Sequence, residues 1–410
     1  MLLQGATLLD GRVADVRIDG AHIGDVALDR LVPRPNEEIH DLAGRVLLPS
    51  PIEPHAHLDK AYTARSVSNP AGDLAGAIAA WYQYRRTLTT ADIAIRAREA
   101  ALAGVVRGVT AIRTHVDVGE GIELRALEAL VEVRAELESI VTIEIVAMTS
   151  RPVTGVAGAD NRALLRAALV AGADLVGGAP HVDPDPLSCL EFFVETAAEF
   201  ACGMDLHTDE TLAPGRLGLA DLARLVAGGF PHPVTASHCV RLGAQPLAVQ
   251  AQVADAVAAA GISVVTLPQT NLYLQARGVD TSAPRGLTAL AALRQAGVSV
   301  AAGGDNIRDP FNPLGRADPL ETAGLLVAAG HLDPIDAYHA VSTAARIAMA
   351  RPPVAVAPGD PADLLAIWAP SADAAIATAS EDRRVYRRGC LVATTTVSTQ
   401  LAWPPPARTP

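Results

Sequence analysis

Short apolar runs alternating with helix-forming stretches through the middle of the chain leave few folds open. The runs cover residues 46–50, 109–118, 140–149, 174–181, 203–208, 233–238, 262–268 and 298–304. Between them the period becomes helical, as over 124–137 and over 247–260, where Val249, Val253 and Val257 recur every fourth residue. Strands of continuous apolar character separated by helices form a parallel sheet covered on both faces. Eight such units predict a (β/α)8 TIM barrel, whose chemistry gathers at the C-terminal ends of the strands. Composition agrees. Hydrophobic residues make up 50% of the chain and aromatics only 3%, so Ala, Val, Leu and Ile must fill the core.

The two ends of the chain read differently. Strand-like segments at 6–9 and 13–18 are followed by Asp10-Gly11 and Asp19-Gly20, dipeptides that turn hairpins. Segments 363–368 and 384–389 look alike, with Pro358-Gly359-Asp360-Pro361 as a turn. A small β-sandwich domain formed from both termini is expected, spanning 1–45 and 355–400 around a barrel of 46–354, with 401–410 as a C-terminal tail.

A formal net charge of −12 argues against nucleic acid or an anionic membrane surface as partner, since both require basic surface. No uncharged apolar run approaches the roughly 18 residues of a membrane span. Four cysteines lie far apart without metal-knuckle spacing, and the first residues soon meet Asp10 and Arg12 rather than a secretory pattern. A cytoplasmic protein is expected.

The polar residues at the strand ends carry the functional information. The first run leads into Glu53-Pro54-His55-Ala56-His57, where alternate side chains share a face, so both imidazoles reach one point and make half of a metal site. The fifth strand ends His207-Thr208-Asp209-Glu210, the sixth Ser237-His238 and the eighth Gly303-Gly304-Asp305-Asn306. A single histidine in such a place is ordinary hydrogen-bonded filler. Four strand ends with matching chemistry are not.

These segments, with Arg113-Thr114-His115-Val116-Asp117, Ile145-Val146-Ala147 and the late Gly359-Asp360-Pro361-Ala362-Asp363-Leu364, resemble the amidohydrolase superfamily, and within it the cytosine deaminase branch. The run from Asp305 to Asp309 is also similar to N-isopropylammelide amidohydrolases, which remove an alkylamine from a triazine ring. The resemblance implies one divalent metal ion, Zn2+ or Fe2+, held by His55, His57, His207 and Asp305, a donor set that manganese would suit similarly. A water on that ion has its pKa lowered toward ~7. Relatives with two ions bridge them with a lysine at the end of strand 4. Here that strand ends Gly177-Gly178-Ala179-Pro180-His181 and the sole lysine is Lys60, so a mononuclear site is expected.

By the same resemblance Asp305 takes the proton of the attacking water, and His238 hydrogen-bonds that water and polarises the attacked centre. Glu210 protonates a ring nitrogen and later the leaving amine. The implied enzyme is a metal-dependent aminohydrolase, or deaminase, attacking a C–NH2 carbon of a small-molecule N-heterocycle. An alternative is N-dealkylation or ring-amide hydrolysis of a triazine- or pyrimidine-like ring. A third reading, a non-enzymatic scaffold, predicts broken ligands, whereas all four are present. A homo-oligomer is implied as well.

Substrate-binding positions are expected at Leu74, His181, Asn306, Phe311, and either Ser150 or Arg151. His115 and Asp117 resemble positions lining the lower pocket or orienting a ligand. An ion pair between Lys60 and Asp59 is expected to fix the loop after strand 1, while His232, His331 and His339 fall in surface turns or helices. Cytosine deaminases carry a ring-reading Gln after Ile-Val-Ala, where this chain has Met148-Thr149-Ser150-Arg151. An Arg offers donors only and favours a carbonyl oxygen or an anion, so cytosine itself is not the expected substrate.

Overall fold

The computed structural model describes residues 1–401, so the expected tail at 401–410 lies outside the described residues beyond Leu401. Among the described residues sixteen strands form two sheets. In chain order they are β1 (Leu2–Thr7), β2 (Val13–Asp19), β3 (His22–Ala27), β4 (Ile39–Asp41), β5 (Arg45–Pro49), β6 (Glu53–Ala56), β7 (Ala111–Val118), β8 (Thr142–Thr149), β9 (Leu175–Gly178), β10 (Met204–Thr208), β11 (Val234–His238), β12 (Ser263–Thr266), β13 (Val300–Ala302), β14 (Leu364–Trp368), β15 (Arg383–Arg387) and β16 (Cys390–Thr395).

Strands β6 to β13 pair in sequence order, each parallel to the next, with helices in the connections. The outer two meet through a parallel bridge between Ala56 and Asp305. There the Asp305 N–H donates to the His55 carbonyl at 3.0 Å and the His57 N–H to the Asp305 carbonyl at 3.3 Å. The TIM barrel is thus stapled shut by residues of the expected site. Beside this seam the Glu53 carboxylate accepts from the backbone N–H groups of His55 and Gly304, at 3.1 and 2.9 Å. A Cβ at Gly303 would collide with that carboxylate, which explains a glycine at the end of an otherwise apolar strand.

One expected strand belongs elsewhere. Segment 46–50, read above as the first barrel strand, forms β5 and pairs antiparallel with β14, Leu48 opposite Leu365, and at one point with β1. The barrel begins instead at β6, four residues including Pro54. The small β domain from both chain ends is present, ordered β16-β15-β14-β5-β1-β2-β3 with β4 beside β1. Leu3, Val16, Ile18, Leu47, Leu364 and Tyr386 form its core.

The barrel's own core is aliphatic. All residues of β7 are buried. The helix Arg125–Glu136 turns Ala126, Leu127, Ala129, Leu130 and Val133 inward and packs on β7 and β8. Each fully buried Leu or Val contributes about 1.5–3 kcal/mol, and the small alanines let helix and sheet approach closely. Among the described residues no helix is long and apolar enough to cross a membrane.

Candidate active site

The C-terminal ends of β6, β10, β11 and β13 bring His55, His57, His207, His238 and Asp305 together. His57 Nε2 lies 3.1 Å from His207 Nε2 and 3.4 Å from Asp305 Oδ1, which is 3.8 Å from His55 Nε2. Donors bonded to one ion at about 2.1 Å in a tetrahedron stand about 3.4 Å apart. The observed spacing is of that size. His55 Nε2 and both Asp305 carboxylate oxygens are buried without a hydrogen-bond partner. Burial pushes the pKa values of His55, His57 and His207 well below the ordinary imidazole range, so their nitrogens are neutral lone-pair donors. The donor set and its orphaned atoms fit a divalent metal ion.

Supporting groups aim these rings. His55 Nδ1 lies 2.9 Å from Ser237 Oγ, whose hydroxyl donates to Asp205 Oδ1 at 2.8 Å, leaving Nε2 to face the centre. Arg113 spans Asp205 and Glu144 beneath, at 2.9 and 2.6 Å. His181 Nδ1 reaches the His207 carbonyl at 3.1 Å. His238 Nδ1 sits 2.9 Å from Asn271 Oδ1, which turns His238 Nε2 toward Asp305 Oδ2, 4.0 Å away. His238 and Asp305 both adopt left-handed backbone conformations, φ 69° and 62°. Such conformations cost non-glycine residues about 1–3 kcal/mol and collect at functional sites.

Glu210 Oε1 lies 3.5 Å from His238 Nδ1. Burial, and then the neighbouring Asp305, push its carboxyl well above the usual carboxylate range. Asp305 is pushed up by burial and by Asp309.

Lys60 goes beyond the expected loop pairing. Its ammonium, 3.7 Å from Asp59, also donates to Asp117 Oδ1 at 2.8 Å and lies 3.0 Å from His57 Nδ1. Asp117 is further held by Trp81 Nε1 at 2.7 Å and Arg85 at 3.1 Å. His115 stacks on His55 with ring centroids 3.9 Å apart and is 3.5 Å from Asp205, beneath the cavity.

Above the cluster opens a cavity of about 780 Å3, counted to its open mouth. Leu74, Ser150, Arg151, His181, Asn306 and Phe311 all line it. The Asn306 amide is occupied, donating to Asp309 Oδ2 at 2.7 Å and accepting from Thr270 at 3.3 Å. One wall comes from the helix Leu74–Tyr84, capped by the Asp73 carboxylate on the Gly76 N–H at 2.7 Å. Leu74, Ile78, Trp81 and Tyr82 fall on one face of it, and Arg85 follows on the same face. That periodicity is legible in the sequence, where Leu74 alone is an expected substrate-binding position of this helix. Asp205 and Ser237 carry no role in the sequence reading; their signal is a polar side chain two residues before a site histidine on β10, and the residue just before His238 on β11.

Comparison with known proteins agrees with this geometry. A pterin deaminase of Rhizobium rhizogenes (strain K84 / ATCC BAA-868) is 34% identical over 360 residues, covering 86% of this chain and 82% of the relative. The crystal structure of 5-methylcytosine deaminase from Klebsiella pneumoniae with 5-fluorocytosine superposes with a TM-score of 0.87 at 27% identity, covering 98% of this chain and 99% of that one. The N-isopropylammelide isopropylaminohydrolase of Burkholderia multivorans ATCC 17616 gives 0.83 at 29% identity, covering 96% and 98%. The model of the amidohydrolase family matches residues 83–399, which takes in the barrel from before β7 onward, and this chain belongs to that family.

Proposed function

We propose that this chain is a metal-dependent aminohydrolase that replaces the amine on a carbon of an N-heterocycle with oxygen and releases ammonia. The observation carrying this reading is the Glu210 carboxyl. It is buried, its pKa raised by that burial and by the neighbouring Asp305, and it is placed beside His238 over the cluster of His55, His57, His207 and Asp305. Those four residues would hold one divalent ion, zinc or ferrous iron, and β9 ends in glycines without a lysine to bridge a second. Such an ion supplies a water activated at neutral pH.

The chain's own groups do the rest. Glu210 gives its proton to a ring nitrogen, which makes the adjacent carbon electrophilic. His238 Nε2 hydrogen-bonds the attacking water and orients it. Asp305 accepts the proton that water loses. Glu210 then relays the remaining hydroxyl proton of the tetrahedral carbon to the leaving amine, and the proton held by Asp305 returns to Glu210, so one water is consumed, one C–N bond breaks and one C–O bond forms. Ser150, Arg151, Leu74, His181, Asn306 and Phe311 bound the ring. The relatives named for pterin and 5-methylcytosine support an amino-substituted ring.

A second reading, removal of an alkylamine, is favoured by the N-isopropylammelide relative. Product analysis of the metal-loaded protein on aminopteridines, aminopyrimidines and N-alkylaminotriazines separates the two. Ammonia supports the first and alkylamine the second. Substoichiometric metal after reconstitution, with no product from any ring, rejects both. The same reading includes a cytoplasmic homo-oligomer. The four cysteines are free, which suits a reducing compartment, and light scattering would report the assembly.

A further inference from the structure

Three cations line the cavity, and two of them are already engaged. Lys60 is spent on Asp117, and Arg85 on Asp117 and the Glu120 carbonyl, at 2.6 Å for the latter. Arg151, the second residue after β8, differs. Its guanidinium carbon lies 5.8 Å from the centroid of the Tyr82 ring, whose contact with Arg85 is closer, at 3.8 Å. Among the described residues Arg151 has no hydrogen-bond or ion-pair partner. The cavity's Asp183 does not answer it, being committed to the Val153 N–H and the Thr154 hydroxyl. Beside it Ser150 is 3% exposed, and its hydroxyl, on the same wall, also lacks a partner.

We infer that the substrate is an N-heterocycle carrying a carboxylate on the end of the ring remote from the reacting carbon, and that Arg151 is the residue that selects it. This deepens the aminohydrolase reading and rests on it. A guanidinium donates in a planar fork that matches a carboxylate and has no acceptor with which to read a ring N–H. The depth of the cavity is set by Glu210 and the histidine cluster, where the amine-bearing carbon must lie. Arg151 is exposed, so a group meeting it points toward the mouth. The Ser150 hydroxyl supplies a further donor to the same oxygens or to a ring carbonyl.

The test uses the full-length, metal-loaded protein and two probes, 2-amino-4-oxopteridine and the same ring bearing a carboxylate on its pyrazine half. Dissociation constants are read by quenching of pteridine fluorescence. The carboxylated probe should bind about tenfold or more tightly than the neutral one. In Arg151→Met, which keeps an unbranched apolar stem and removes the charged fork, the ratio of the two constants should fall toward one. Arg151→Lys should restore part of it. A ratio near one in the unmodified protein, absence of binding by both probes, or a ratio unchanged in Arg151→Met would each overturn the inference. Ammonia release is assayed separately: a preserved ratio without ammonia from either probe rejects the hydrolase reading and leaves the anion preference standing.

Discussion

The proton-donor role proposed for Glu210 depends on its lying where a charge is expensive. Burial and the neighbouring Asp305 both raise its pKa above that of an exposed glutamate, which favours the protonated form. Glu210→Gln keeps the shape and removes the acidic proton, so metal content should stay stoichiometric while turnover drops by about 100-fold or more. Metal analysis beside steady-state kinetics checks this, and a variant with full activity removes the role from Glu210. At this scale the sequence was most informative. Histidines and acids at the ends of otherwise apolar strands stand out because burial there is unfavourable unless they converge. Asp205, Ser237 and Arg113 were harder to read. Each matters through partners on other strands, and nothing local says whether a mid-strand aspartate faces a ring or a helix.

Among the elements, β5 shows where pattern stops being decisive. An apolar run of five residues suits a barrel strand and a strand of the terminal sheet equally, and only pairing chooses. Pro49-Ser50-Pro51 marks the break between the two sheets, since proline cannot donate to a ladder. The true first strand, β6, holds a proline and is short. It exists because closing the barrel requires it, not because its residues favour extended structure. The pocket-bearing helix Leu74–Tyr84 depends on its first turn, where Asp73 satisfies an otherwise unpaired N–H. Asp73→Ala should lower stability by about 1 kcal/mol in urea melts and raise KM, because Leu74 begins that turn. Unchanged melts and KM would show that the helix start is held by other contacts.

For the whole molecule, the proposed ligands sit on the barrel seam. His55 and His57 come from the first strand, Asp305 from the last, and their backbones carry the bonds that close the ring. Removing the ion should therefore loosen the closure as well as silence the chemistry. An ion at a thousandfold over its dissociation constant adds about 4 kcal/mol to stability. Treatment with a chelator should lower Tm by several degrees, and one equivalent of zinc or ferrous iron should restore it. A melting curve indifferent to metal would detach the ligands from the seam. The overall architecture was legible because eight alternations admit few topologies; the division of strands between two sheets was not, because it is settled by contacts between the chain's ends.

The solitary Lys60 has a practical consequence. It is buried against Asp117 and His57, so every other basic side chain in the sequence is an arginine or a histidine. Reagents that acylate or cross-link lysine will find no such group on the folded exterior. Their incorporation into this position would instead report moments when the cavity floor opens, turning an inert surface into a quiet background for watching it breathe.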